Sequence, residues 1–260
     1  MTGGEDDTVR LPQNSYDAFA RVYDAAQFDR FALSLIATAR ELVDATGGEV
    51  VDLACGSGSF LARFLEVRSP ARVTGIDRSR AMLDRARGKR PDVFWVCGDM
   101  VSIPLNAEVD ALFCLYDSLN YLDSEADLKR AFREWRRLLK PGGKALFDLN
   151  RARAYERVWG DPTPFVSDTD DGKLTIVTSY SAEKRRGEAR IRVDFADGTS
   201  QESHHVQTCF PEEVVRECVA SAGLHFLSMT GIDPFPGTES SVPGAKSLWI
   251  VERAREDASH

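Results

Sequence analysis

A glycine-rich turn between two apolar runs constrains this chain more than any other feature. In the stretch from Val50 to Phe60, VVDLACGSGSF, Gly56 and Gly58 follow a short apolar run that contains Asp52. The two glycines can adopt positive φ and let the backbone approach a ligand closely. Because such a turn joins a buried strand to a helix, it predicts an open α/β sheet with a ligand site beyond the end of that strand.

Strands and helices alternate after this turn. Continuous apolar runs separated by amphipathic helices are typical of a parallel sheet that is covered on both faces. From Ser15 onward a segment before the turn also has helical periodicity, with Tyr16, Phe19 and Tyr23 on one face. The predicted strands are 49–54, 71–77, 92–99, 109–117 and the end of 141–150, and the predicted helices between them are 59–68, 79–89 and 124–140.

The pattern changes after Asn150. Residues 173–208 show β-branched alternation and an Asp197-Gly198 turn, which predict antiparallel hairpins. A helix from Pro211 and two closing strands follow. We therefore predict an α/β fold with a Rossmann-like seven-stranded sheet, mostly parallel with an antiparallel terminal hairpin, and a small antiparallel β insertion that forms a lid. The predicted divisions are a disordered tail (1–14), a cofactor-binding Rossmann-like core (15–150), the insertion or lid (151–210) and the C-terminal completion of the core sheet (211–254).

Composition narrows the class of protein. The chain has 260 residues, and 41 Asp and Glu against 33 Lys and Arg give a formal charge of −8, which disfavours a nucleic-acid partner. Its five scattered cysteines form no Cys-x-x-Cys pair, which favours reduced residues of an intracellular protein. No apolar run is long enough to span a membrane and the first residues are acidic, so we expect a cytoplasmic protein without a membrane partner. No residues have metal-ligand spacing, so we expect no metal, although carboxylates from distant loops could still converge on Mg²⁺.

The residues around the turn discriminate among ligands. A dinucleotide turn has a small third residue where this chain has Leu61, and a phosphate-binding loop needs a Gly-Lys-Ser/Thr that is absent from the sequence. Asp52 and Asp77 supply negative charge, which opposes a pyrophosphate. A ligand with an amino group and a sugar diol, and without phosphate, fits these residues better.

Four motifs in order resemble those of class I S-adenosylmethionine-dependent methyltransferases. VVDLACGSG resembles the first motif of that family, with Ala54 where a glycine is common, and it is followed by GID, CGDM and LLKPGG. The resemblance extends over roughly residues 16–254. CLYDSLNYL, YDAFARVYD and ESHHVQTCFPEE are similar to a subgroup that acts on small molecules, including enzymes of antibiotic and modified-sugar biosynthesis.

The resemblance implies S-adenosylmethionine as cofactor and assigns roles along the chain. Asp77 would accept hydrogen bonds from the ribose hydroxyls, and Asp99 and Met100 would bind the adenine. Tyr16 and Tyr23 would close over the methionine end. The full predicted cofactor set is Tyr16, Tyr23, Asp52, Ala54, Cys55, Gly56, Gly58, Asp77, Arg78, Met82, Asp99, Met100, Leu115 and Tyr116.

Candidate bases and acceptor ligands come from the lid and from the loop after the fourth strand. Methyl transfer from a sulfonium needs a base only when the acceptor arrives protonated. His204 shares a strand face with Val206, so we predict that His204 faces the site as a base and that His205 faces away. Asp117 is the second predicted catalytic residue, unless it caps the following helix, and Asn120 and Tyr121 are predicted to bind the acceptor.

The leading hypothesis is methyl transfer to a nitrogen or oxygen of a small molecule, by a protein that can form a homo-oligomer. An RNA or protein methyltransferase is a second hypothesis, which the charge disfavours. A dinucleotide-dependent oxidoreductase is a third, which Leu61 disfavours. A protein that binds the cofactor without catalysis is the fourth, since methyl transfer requires no diagnostic base.

Overall fold

A computed structural model of the chain describes residues 16–43, 47–238 and 240–255. The strands are β1 (Glu49–Leu53), β2 (Arg72–Asp77), β3 (Phe94–Cys97), β4 (Val109–Cys114), β5 (Leu139–Asn150), β6 (Phe165–Thr169), β7 (Gly172–Ser181), β8 (Arg186–Phe195), β9 (Ser200–Thr208), β10 (Leu224–Ile232) and β11 (Lys246–Arg253). The helices are α1 (Asp17–Ala20), α2 (Arg30–Ser34), α3 (Ile36–Ala39), α4 (Ser59–Phe64), α5 (Arg80–Lys89), α6 (Glu125–Leu138), α7 (Ala152–Ala154) and α8 (Glu212–Ser221), with a 3₁₀ helix at Ser118–Tyr121 and a π-helical turn at Tyr155–Trp159.

The strands form two sheets. The larger has seven strands in the order β10-β11-β5-β4-β1-β2-β3, and the smaller has four in the order β6-β7-β8-β9. Strands β1 to β5 are parallel, and β11 is antiparallel to both β5 and β10. The predicted fold class is therefore confirmed. Strand order reverses at β1, with β2 on one side and β4 on the other, and such a reversal opens a crevice at the carboxyl ends of the strands.

The central strand is buried on both faces because helices cover both. Val50 packs on one side in a cluster with Phe60 of α4, and Val51 packs on the other side in a cluster with Trp135 of α6. This is why β1 reads as a continuous apolar run rather than an alternating one.

Helix α6 follows its sequence pattern closely. The Ser124 hydroxyl caps its first turn by accepting from the Asp127 amide at 3.2 Å. Leu128, Phe132 and Trp135 are fully buried along one stripe. The opposite, basic face is solvated, as charge patterning at helical spacing predicts.

The segment before β1 differs from the prediction of a long helix. It forms the three short helices α1, α2 and α3, and Gln27 has a φ of 61° between the first two. Helix α1 already ends at Ala20, where the C-cap residue Arg21 is still right-handed, and the left-handed Gln27 interrupts the turns that follow. Phe19 and Val22 then pack against Leu174 and Val193 of the smaller sheet.

Three further expectations concern the amino-terminal tail, the cysteines and membrane-spanning helices. The predicted disordered tail at 1–14 lies outside the described residues. All five cysteines are free. Among the described residues, none of the helices combines the length and the apolarity needed to cross a bilayer.

Candidate cofactor and acceptor site

A cavity of about 350 Å³ opens at the carboxyl ends of β1, β2 and β4. Pockets of this size are typical of small-molecule sites. Every residue of the predicted cofactor set lines it except Gly58. Tyr121 of the predicted acceptor ligands also lines it, and so do Asp29 and Ser118, which the sequence analysis did not select.

The glycine turn is built from three left-handed residues. Ala54, Gly56 and Gly58 have φ of 53°, 54° and 74°. Ala54, at the position where the resembled motif has glycine, therefore adopts the conformation that glycine adopts most readily. Gly58 serves packing instead of the ligand, because a Cβ there would lie 2.7 Å from Trp95 and 2.9 Å from the Ala86 Cβ.

Asp77 is held at the end of β2 by backbone donors. Its Oδ2 accepts from the Gly56 amide and its Oδ1 from the Ser79 amide, both at 2.8 Å. Burial raises the pKa of Asp77, and these amide bonds oppose that rise. Burial also raises the pKa of Asp52 well above its usual value, and the nearby Asp77 charge adds to it. Two desolvated carboxylates in one cavity favour a ligand that brings positive charge or hydroxyl donors.

Asp99 and Met100 lie at the next edge of the cavity, after β3. The Asp99 carboxylate accepts from the Val101 amide at 3.0 Å, and its other oxygen lies 3.7 Å from the Arg78 guanidinium. Because the Arg78 and Asp99 side chains are both well exposed, this ion pair contributes little to stability. The ion pair does set Arg78, the one arginine in the described lining, beside an acid.

Four tyrosines surround the other end of the cavity. Tyr16 donates to the Tyr121 hydroxyl at 2.7 Å, and its ring lies edge-on to that of Tyr23 with 6.4 Å between centroids. Burial raises the pKa of Tyr16, Tyr23 and Tyr116 well above the usual value for tyrosine. These side chains therefore stay neutral and present hydroxyl dipoles and ring faces to a ligand.

The amino-terminal segment is fastened over the glycine turn. Asp24 accepts from the Ser57 hydroxyl at 2.5 Å and pairs with the Lys89 ammonium at 2.7 Å. Asp17 accepts from the Ser79 hydroxyl at 3.0 Å. These contacts hold Tyr16 and Tyr23 against the cavity.

A buried ionic cluster lies behind Tyr116, and we call Asp117, Asp148 and Lys246 the acid–lysine cluster. The Lys246 ammonium lies 2.8 Å from an Asp148 oxygen and also bonds Asp117. Asp148 accepts from the backbone amides of Tyr116 at 2.5 Å and Asp117 at 2.9 Å. The cluster thus holds two consecutive left-handed residues, since Tyr116 and Asp117 have φ of 62° and 50°.

The charges of the acid–lysine cluster depend on each other. Burial alone would lower the pKa of Lys246, but the Asp117 and Asp148 charges outweigh it and the pKa is raised. Burial raises the pKa of Asp148, and Lys246 opposes this. Lys246 therefore stays an ammonium, and it also lies 4.8 Å from the Phe31 ring centroid and 5.3 Å from that of Tyr116.

Two predicted site residues are turned away from the cavity. Asp117 was predicted to be catalytic, but it is bonded to Lys246 and also accepts from the Gln207 side-chain amide at 2.5 Å. Asn120 was predicted to bind the acceptor, but it is fully buried, donates to the Thr208 carbonyl and accepts from the Asn150 amide. Neither lines the cavity. Both instead join the core sheet to the smaller sheet, because buried polar groups must find partners.

The predicted orientation of His204 and His205 is wrong. His204 lies on the outer face of β9, 3.1 Å from the Glu188 carboxylate. His205 is fully buried, 4.9 Å from the Tyr16 ring centroid, with Nδ1 3.3 Å from the Tyr121 hydroxyl. The prediction assumed that Val206 faces inward, but Val206 lies with His204 on the partly exposed face of β9.

The sequence contained a signal that places His205 correctly. The Asp197-Gly198 turn pairs Ala189 opposite His205 and Ile191 opposite Ser203. Residues opposite each other in an antiparallel pair share a face. The apolar alternation of β8 is stronger than that of β9, so it identifies the inner face of both strands. No comparable local pattern identifies Lys246 or Asp148.

The part of the chain that the structure describes contains no group of three or more His, Cys, Asp or Glu side chains placed to hold a metal ion.

Comparisons with known proteins agree with this geometry. Residues 50–143 match the family described as "Methyltransferase domain". The chain is 29% identical over 258 residues to a putative methyltransferase, YqeM, of Bacillus subtilis (strain 168), covering 92% of this chain and 98% of the relative. It is 28% identical over 254 residues to the dTDP-3-amino-3,6-dideoxy-alpha-D-glucopyranose N,N-dimethyltransferase of Streptomyces fradiae, covering 90% and 95%.

A solved structure shows the same fold. The S-adenosylmethionine-dependent methyltransferase from Clostridium acetobutylicum ATCC 824 superposes with a TM-score of 0.73 at 22% identity, covering 92% of this chain and 99% of that one. The resemblance indicated by the motifs is thereby confirmed. Residues 50–143 match a methyltransferase domain, and 92% of the chain shares the fold of a solved S-adenosylmethionine-dependent methyltransferase.

Proposed function

We propose that the protein transfers a methyl group from S-adenosylmethionine to the amine nitrogen of a small molecule, with an amino sugar as the acceptor class. The observation that carries the choice of nitrogen over oxygen is the character of the cavity. Its described lining contains five carboxylates, Asp17, Asp29, Asp52, Asp77 and Asp99, but only one cationic side chain, Arg78. An acidic cavity with tyrosine rings favours cations, and an amine acceptor is a cation at neutral pH.

The residues fit the cofactor. Asp77 offers carboxylate oxygens to a ribose diol, and Asp52 and the turn at Gly56 offer acceptors and close backbone approach to the methionine part. We assign Asp99 and Met100, at the edge of the cavity after β3, to the adenine ring. The other lining residues in this assignment are Tyr16, Tyr23, Ala54, Cys55, Arg78, Met82, Leu115 and Tyr116.

The chemistry asks little of the protein beyond alignment. When bound, S-adenosylmethionine supplies a methyl group that is already activated on a sulfonium. The protein orients the acceptor in line with that group and excludes water. The smaller sheet and the helical segment at residues 16–28 act as the lid, because Phe19 and Val22 pack against Leu174 of that sheet while Tyr16 and Tyr23 of the same segment line the cavity.

The same features support a free small molecule as the partner. The formal charge of −8 and the acidic cavity disfavour nucleic acid. The proposal also places the enzyme in the cytoplasm, with the division into core (15–150), lid (151–210) and C-terminal completion (211–254). It leaves a homo-oligomer open to measurement.

The test compares two acceptors that differ in one group. Purified protein is first titrated calorimetrically with S-adenosylhomocysteine, with NAD as the control ligand. It is then incubated with S-adenosylmethionine and either dTDP-3-amino-3,6-dideoxy-α-D-glucose or the same sugar nucleotide with a hydroxyl in place of the amine. We expect binding of S-adenosylhomocysteine alone and methylation of the amine alone. Methylation of the hydroxyl sugar, or of neither sugar, would contradict the proposed acceptor class, and binding of NAD would contradict the cofactor.

A further inference from the structure

The inner face of the lid carries a histidine that contacts two tyrosines of the cavity lining, Tyr16 and Tyr121. His205 is fully buried, and its Nδ1 lies 3.3 Å from the hydroxyl of Tyr121, which lines the cavity. Its Nε2 lies 3.0 Å from the Ser203 hydroxyl. Tyr16 donates to the same Tyr121 oxygen at 2.7 Å. Because Tyr16 supplies a hydrogen to that oxygen, the hydrogen of Tyr121 itself is available to Nδ1.

Resting on the proposed function, we propose that Tyr121 and His205 form the proton-accepting pair for the acceptor amine. An amine arrives mainly as ammonium at neutral pH and has no lone pair until a proton leaves. The ammonium gives this proton to the Tyr121 oxygen while Tyr121 gives its own proton to His205 Nδ1. The nitrogen keeps the electron pair of the broken N–H bond, and His205 becomes an imidazolium. After the product leaves, the His205 imidazolium gives its proton back to Tyr121, and Tyr121 releases its own proton to water that enters the cavity.

Tyr121 cannot do this alone. Burial raises the pKa of Tyr121 well above the usual value for tyrosine, and the Asp117 charge adds to the effect, so a free tyrosinate is unfavourable. A tyrosine that passes its proton on as it receives one never carries that charge. His205 thus acts through Tyr121 and does not touch the acceptor.

The surroundings leave His205 as the group in this pair that can change its charge. Two titratable groups from other elements face it, Tyr16 from the amino-terminal segment and Tyr121 from the 3₁₀ helix, and the Asp117 charge at the turn before that helix acts on Tyr121. Asp117 is engaged with Lys246. On β8 the opposite residue is Ala189, which is apolar. Because burial raises the pKa values of Tyr16 and Tyr121, both tyrosines stay neutral and the His205 imidazole is the group that holds the proton.

The neighbouring histidine provides a matched control. We expect His205→Gln and Tyr121→Phe each to lower kcat/KM about 100-fold near pH 7, the usual loss when general base catalysis is removed. The double variant should lose no more than either single variant, because the two residues act in series. His204→Gln, on the outer face of the same strand, should leave kcat/KM unchanged. The acceptor is dTDP-3-amino-3,6-dideoxy-α-D-glucose, and S-adenosylhomocysteine affinity serves as the check on folding.

The pH profile separates proton transfer from a structural effect. As pH rises, more of the acceptor arrives as free amine and no longer needs the pair. The loss in His205→Gln should therefore shrink from about 100-fold near pH 7 to less than about 10-fold near pH 9.5. A loss that is constant with pH, or an unchanged kcat/KM, would overturn the proposal.

A second measurement needs no acceptor. Nitrogen-15 NMR of labelled protein reports the tautomer of His205, and the pair requires the proton on Nε2 with Nδ1 accepting. Tyr121→Phe should shift the Nδ1 resonance, whereas His204→Gln should not. A proton on Nδ1 would overturn the proposal even if the sugar is turned over. Conversely, wild-type protein with the expected tautomer but no activity on the sugar would count against the acceptor class and leave the pair supported.

Discussion

The glycine-turn end of the cavity draws most of its polar groups from residues 52–100, whereas the acceptor end is lined by tyrosines from Tyr16 to Tyr121 and is supported from behind by the acid–lysine cluster. At the first end, Asp77 accepts from the Gly56 amide, 21 residues away. At the second, Lys246 bonds Asp117 across 129 residues, and Gln207 donates to Asp117 across 90. One end is a local turn that the backbone builds, and the other is a network of side chains that only the finished fold assembles.

The difference has an energetic side. Backbone donors at the glycine turn come with the fold and cost little to arrange. The acid–lysine cluster buries three charges, and each must be compensated by the others or by a hydrogen bond. We therefore expect substitutions in the cluster to affect stability most, and substitutions at the turn to affect chiefly cofactor binding.

The largest effect should come from Lys246→Met. Removing the ammonium leaves Asp117 and Asp148 buried without their cation, and breaking such a pair costs about 3–5 kcal/mol. Urea unfolding measures this loss. The control is Lys140→Met, which removes a partly exposed ammonium 2.8 Å from the Asp110 carboxylate and should cost less than about 1 kcal/mol. Equal losses in the two variants would show that the acid–lysine cluster is no more costly to break than a surface pair.

A smaller effect, chiefly on cofactor binding, should come from Asp77→Asn, whose single acceptor oxygen keeps only one of the two amide bonds from Gly56 and Ser79. The amide loses the charge that would strengthen hydrogen bonds from a ribose diol, and such bonds contribute about 1.5–3 kcal/mol. We expect S-adenosylhomocysteine to bind about 10- to 100-fold more weakly in calorimetric titration. Asp84→Asn, an exposed acid on α5, should bind it normally. Unchanged affinity in Asp77→Asn would place the ribose elsewhere.

The same contrast explains how much could be predicted from the sequence. The fold and the glycine-turn end followed from local patterns: apolar periodicity, two glycines, and acids at the ends of successive strands. Asp77 and Asp99 each come directly after an apolar run, and parallel strands bring their carboxyl ends to one edge. Every residue of the predicted cofactor set except Gly58 lines the cavity.

The acceptor end could not be predicted in the same way. Asn120 and Asp117 have the right residue types and follow the fourth strand, but their partners Asn150, Gln207 and Lys246 lie on other elements. The face of β9 is set by its pairing with β8, so the composition of β9 alone gave the wrong histidine. The prediction of one long amino-terminal helix was wrong, because the breaks after Ala20, at Gln27 and at Leu35 leave no mark on hydrophobic periodicity.

The smallest effect tests the turn itself, through Ala54→Gly. Ala54 has a φ of 53°, and an L-residue with a Cβ pays about 1–2 kcal/mol for this conformation. Glycine removes that strain but loses about 0.5–1 kcal/mol of chain entropy, so the variant should gain about 0.5–1 kcal/mol of stability. Ala62→Gly is the matched control, because in the interior of α4 the same change should lose about 0.5–1 kcal/mol. If the free energy of unfolding in urea rises in Ala54→Gly and falls in Ala62→Gly, backbone conformation governs the glycine-turn end. A loss in both variants would mean that the Ala54 methyl group contributes more through its contacts than it costs in strain, and the distinction between a backbone-built end and a side-chain-built end would then fail at this residue.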